Sequence, residues 1–136
     1  MQRVMALALV GNAWVMSGAG AAQPMSAPAI TPSPDMTVAA FLARVDQLRT
    51  GGPEWTLSLE AGELFGAISA VGKAYRQTLA DQRAAGQPVE ACLPPEAEIE
   101  SDVLFAHLAG YAPEVAARTT IREAFSQLVQ QRFPCP

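Results

Sequence analysis

The sequence predicts a small all-α bundle of about four helices, stapled by one disulfide. Three observations predict it. Apolar residues recur at helical spacing in four segments beyond residue 36. Glycine and proline clusters separate those segments, and no stretch sustains the alternation of a strand. Cys92 and Cys135 are the two cysteines of the chain, and its start reads as an export signal.

Residues 1–22 carry that signal. "MQR" is a short positive start, "VMALALVGNAWVM" an apolar run, and "SGAGAA" a small-residue stretch for a signal peptidase. Cleavage after Ala21 or Ala22 is expected. The apolar run is too short for a spanning helix, which needs about 20 residues. No cysteine follows the small residues, so a lipid anchor is not expected. The mature chain belongs in the periplasm or outside the cell, free of the membrane. In that oxidising setting an even pair of cysteines predicts a bridge between Cys92 and Cys135, with an intermolecular bridge as the alternative.

Residues 23–35, "QPMSAPAITPSPD", are dense in proline and read as a flexible arm. The folded domain is expected over 36–136. Its first helix, "DMTVAAFLARVDQLRTGG", is capped by Asp35 or Thr37 and aligns Val38, Phe41, Leu42, Val45 and Leu48 on one stripe. Gly51-Gly52-Pro53 ends it. "WTLSL", Trp55 to Leu59, alternates briefly and reads as extended. A long helix follows, capped by Ser58, with Leu64, Phe65, Ile68, Val71, Tyr75 and Leu79 at a 3.6-residue period. Gly66 and Gly72 lie near its apolar face, where a close neighbouring helix would explain them. Its polar end, "RQTLADQRAAG", is expected to project into solvent, and Gly86 and Pro88 stop it.

The loop "QPVEACLPPEAEIES" carries Cys92. A short helix, "SDVLFAHLAGYAP", is expected to be capped by Ser101, to face Val103, Leu104, Leu108 and Tyr111 inward, and to close at Pro113. The last helix, "TTIREAFSQLVQQRF", opens on the capping-box pair Thr120 and Glu123 and buries Ile121, Ala124, Phe125, Leu128 and Val129.

Half of the residues are apolar and the formal charge is −4. That balance argues against nucleic acid, whose binders need a basic face to displace counterions. It also supplies no basic amphipathic helix for an anionic membrane surface. The lone histidine, His107, lies beside an apolar face with no nucleophile on its own side of the helix, so it reads as a half-buried packing residue. The acidic run Glu96, Glu98, Glu100 and Asp102 lacks the glycine and spacing of a calcium loop and reads as solvated. No catalytic, cofactor-binding or metal-binding residues are expected, and the chain is not read as an enzyme.

"MTVAAFLARVDQLRTGG", "CLPP", "SDVLFAHLAGYAP" and "AFSQLVQQRFPC" together resemble the Rap1a/Tai group of bacterial immunity proteins. The match is closest from Cys92 to Cys135 and looser from Thr37 to Ala85. The resemblance implies a small periplasmic helical protein that neutralises a cell-wall amidase delivered by type VI secretion. It also implies the Cys92–Cys135 disulfide and a homodimer. The stretch "ELFGAISAVG" departs from the cysteine often found early in the family's long helix, and no toxin-contact residue is carried over. The function expected is therefore non-catalytic binding of an effector enzyme. The alternative is a small periplasmic chaperone or stress protein.

Overall fold

In a computed structural model, residues 31–136 are described. The expected signal peptide, residues 1–22, and residues 23–30 of the expected arm lie outside them. The described chain is all-α. It contains α1 (Val38–Arg49), a 3-10 turn (Trp55–Leu57), α2 (Leu59–Ala84), α3 (Ser101–Ala109), the one-turn α4 (Pro113–Ala116) and α5 (Ile121–Arg132).

The stripes read from the sequence form the core. Val38, Phe41 and Val45 of α1 meet Leu64, Val71, Tyr75 and Leu79 of α2. Leu104 and Leu108 of α3 join them, with the whole predicted face of α5. Burying each such aliphatic or aromatic side chain contributes about 1.5–3 kcal/mol. Phe41 packs on Phe105 at 5.8 Å, and Tyr75 meets Phe125 edge-on at 6.0 Å. The loop between α2 and α3 adds to this core, since Ala91 and Leu93 are both buried.

The amino ends of α1 and α5 cap one another. The Val38 amide donates to Thr119 O at 2.8 Å, and the Ile121 amide donates to Met36 O at 3.0 Å. The Arg122 amide donates to Pro34 O at 3.3 Å, and the Arg122 Nε donates to Asp35 Oδ1 at 3.1 Å. Free first-turn amides need such acceptors, and here they come from the other helix's lead-in. Asp35 therefore ties to α5, and Thr37 is the cap of α1, accepting from the Ala40 amide at 3.1 Å. The last residues assigned to the flexible arm are thus bound to the domain. Thr120 and Glu123 close both halves of the capping box.

Several local expectations are corrected. Trp55–Leu57 is a 3-10 turn rather than an extended segment, because Ser58 must follow it as the cap of α2, accepting from the Ala61 amide. Ser101 is the first residue of α3, and Glu100 precedes it as the cap position without a side-chain bond. Pro113 does not close a helix but opens α4, where its missing N–H costs no intrahelical bond. Gly66 borders open space, and a Cβ at Gly72 would meet Phe125 at 3.7 Å, an ordinary contact. Close helix approach therefore does not explain either glycine. Gly86 stops α2 as expected, at φ +66°, with Gln87 donating back to Gln82 O.

Cys92 and Cys135 are joined in one intramolecular disulfide, with Cα atoms 4.9 Å apart. The Cys92 amide also donates to Phe133 O at 2.8 Å. The end of α5 is thereby tied to the loop that follows α2. Such a bond fits an oxidising, extracytoplasmic compartment. Among the described residues no helix is long and apolar enough to cross a membrane.

Candidate functional site

His107 is half-buried on α3, as its spacing suggests. Its Nε2 lies 3.2 Å from Tyr111 Oη, and that hydroxyl donates to Gln127 Oε1 on α5 at 2.5 Å. The chain of bonds links α3 to α5 beside an open groove of about 320 Å³ lined by Ala106, Gly110 and Gln131. Burial, and then the Glu123 carboxylate, raise the Tyr111 pKa above its usual value. No nucleophile or carboxylate lines that groove. The arrangement works as a polar strut.

The acidic run is spread along the surface. Glu96, Glu98, Glu100 and Asp102 are all exposed. Among the described residues no three His, Cys, Asp or Glu side chains converge at metal spacing. Asp102 lies in the first turn of α3, where its charge favours the positive helix end. Arg76, placed by composition on a solvated helix end, instead bonds the same loop. Its guanidinium donates to Pro94 O at 3.3 Å, to Pro95 O at 3.2 Å and to Ala97 O.

The feature that sequence reading missed lies at the start of α2. Leu57 and Leu59 are 81% and 83% exposed, the large hydrophobic side chains that the described fold leaves in water. They flank Ser58, the cap. Leu59 is off the stripe that runs from Leu64 to Leu79, and that local signal could have located it.

The base beneath the leucines is well held. Gly52 takes φ +113°, a value that L side chains rarely adopt, and its carbonyl accepts from the Trp55 amide. The Leu57 amide donates to Glu54 O, and the Ser58 amide donates to Trp55 O. Trp55 packs on Phe65 at 6.1 Å, and the Arg49 guanidinium covers its ring at 5.6 Å. Glu54 and Glu63 are exposed beside the leucines, Glu63 one turn beyond Leu59. The nearby cations are already engaged: Arg44 pairs with Glu60 at 2.5 Å and Arg49 with Asp46 at 3.8 Å. The result is an apolar knob on a rigid footing, flanked by free carboxylates.

No family model, curated protein or solved structure matches this chain.

Proposed function

We propose that this chain is a non-catalytic protein-binding module of the periplasm or extracellular space, acting as an immunity-type inhibitor of a cell-wall amidase. The observation that carries the reading is the exposed pair Leu57 and Leu59 on a rigid turn. Keeping two leucines in water forfeits burial of about 1.5–3 kcal/mol each, which a bound partner restores. The disulfide suits a domain working in an oxidising compartment. The specific target class comes from the resemblance to the Rap1a/Tai group, carried by "CLPP", "SDVLFAHLAGYAP" and "AFSQLVQQRFPC".

The test is protection. The chain is expressed with its leader in cells that export a co-encoded cell-wall amidase, and lysis is followed. The expected result is survival, with purified amidase losing activity on addition of equimolar chain. Lysis at the rate of unprotected cells, with uninhibited amidase, overturns the reading. The same leucines would serve a periplasmic chaperone. In that case the chain suppresses light scattering of an acid-denatured client and leaves the amidase untouched.

A further inference from the structure

The proposed binding role leaves open what kind of surface is bound. Resting on that role, we infer that the knob of Leu57 and Leu59 is the docking element, and that its occupant is a protein cleft with an apolar floor and a cationic rim. The apolar half follows from the leucines themselves. They stand on adjoining elements, one closing the 3-10 turn and the other opening α2. Exposed apolar side chains are withdrawn from water most fully by a cleft with an apolar floor.

The charge half follows from pairing. Of the carboxylates around the knob, Glu60 and Asp46 hold Arg44 and Arg49. Among the described residues, Glu54 and Glu63 take no cation. They leave two uncompensated negative charges beside the apolar tips, on a chain of formal charge −4. A partner rim carrying lysine or arginine is steered to this face, and an acidic rim is repelled. The bonded turn, the Gly52 conformation and the Trp55–Phe65 packing fix the backbone that carries the leucines, so little backbone ordering entropy is lost on docking.

A second copy of this chain does not fit that description, because it would bring Glu54 and Glu63 against their own kind. An anionic vesicle is disfavoured for the same reason.

The test uses the mature chain from residue 23 and its partner, captured from the native periplasm and secretome, identified and then purified. Binding to wild type, Leu57→Asp, Leu59→Asp and the double variant Glu54→Lys/Glu63→Lys is measured by surface plasmon resonance over a salt series. Circular dichroism verifies that each variant is folded, which exposed positions permit. The expected result is a loss of affinity of about 30-fold or more for each leucine variant, mostly in the dissociation rate. The charge variant slows association by about tenfold at low salt and removes its salt dependence. Unchanged affinity of both leucine variants overturns the docking site while leaving the binding role intact. A charge variant that associates faster overturns the cationic rim. Capture of no partner removes the binding role itself. Concentration-dependent dimerisation lost in Leu57→Asp makes a second copy the occupant and overturns the inference.

Discussion

Arg76 sits in a stretch whose composition suggests solvent, yet its guanidinium gathers the carbonyls of Pro94, Pro95 and Ala97. Two prolines in succession leave that loop short of its own donors, so an outside cation is the natural source. Nothing local marks the pairing, because its partners lie 18 to 21 residues away. Arg76→Ala should cost about 1–2 kcal/mol in urea denaturation, and Arg76→Lys should recover only part of it, since an ammonium lacks the planar fork. Equal stability of wild type and Arg76→Ala would show the clamp to be idle. Tyr75 is the opposite case. Its stripe position was legible, and it is only 7% exposed. Its hydroxyl, though, lies toward Gln130, Glu90 and Ser126 without closing a well-formed bond to any of them. Burial first, and then the Glu90 carboxylate, raise its pKa above 10.0. The folded state thus holds this proton more tightly than the unfolded chain. Ionisation of Tyr75 therefore favours the unfolded chain: stability is intact below about pH 10 and falls as pH rises through the raised folded value. Tyr75→Phe should therefore leave stability at neutral pH nearly unchanged or higher, and should flatten the alkaline fall above pH 10. An unaltered alkaline limb in a pH series of melts would contradict this.

At the scale of elements, signals confined to one helix were readable and those shared between two were not. The box of Thr120 and Glu123 spans four residues and was visible in the sequence. The Met36 and Pro34 carbonyls that satisfy the next two amides of α5 come from the other end of the chain. The same division explains the Trp55–Leu57 turn. Its brief alternation imitates a strand, but no partner strand exists among the described residues to pair with it. Leu57 and Leu59 went unnoticed because periodicity detects what is buried and is silent about apolar residues left outside. Thr120 sits where both kinds of capping meet, so Thr120→Ala should cost about 1–2 kcal/mol, toward the upper end for a cap. Hydrogen exchange should then quicken at Val38 and Ile121 together. Faster exchange at Ile121 alone would mean that the two helix ends are independent. Gly66 gives the reverse expectation. It lies within α2 with nothing within 4 Å of an added Cβ. Gly66→Ala should raise stability by up to about 1 kcal/mol. A destabilised variant would mean that its surroundings are tighter than the geometry indicates.

For the molecule as a whole, the question is what the clasp at Phe133-Pro134-Cys135-Pro136 adds to a core that is already closed. The cysteines are 43 positions apart, and a loop of that length constrains the unfolded chain by about 4 kcal/mol in the chain-entropy estimate. A domain of this size commands only about 5–15 kcal/mol in all. The folded state does not depend on the bond in the same measure. Ala91 and Leu93 are buried on either side of Cys92, Arg76 holds the following residues, and the Cys92 amide reaches Phe133 O. These ties keep the loop in place when the sulfurs part. Both cysteines are also exposed, so a thiol reductant can reach the bond without prior unfolding. Cys135→Ser, and wild type in reductant, should both retain the native near-ultraviolet spectrum at room temperature while melting more than about 10 °C lower. Loss of that spectrum at room temperature would make the bond a condition of folding. An unchanged midpoint in both would show that it constrains nothing. The intermediate outcome is the one this architecture implies: a core assembled by helix stripes, with a crosslink acting on the chain that has come apart.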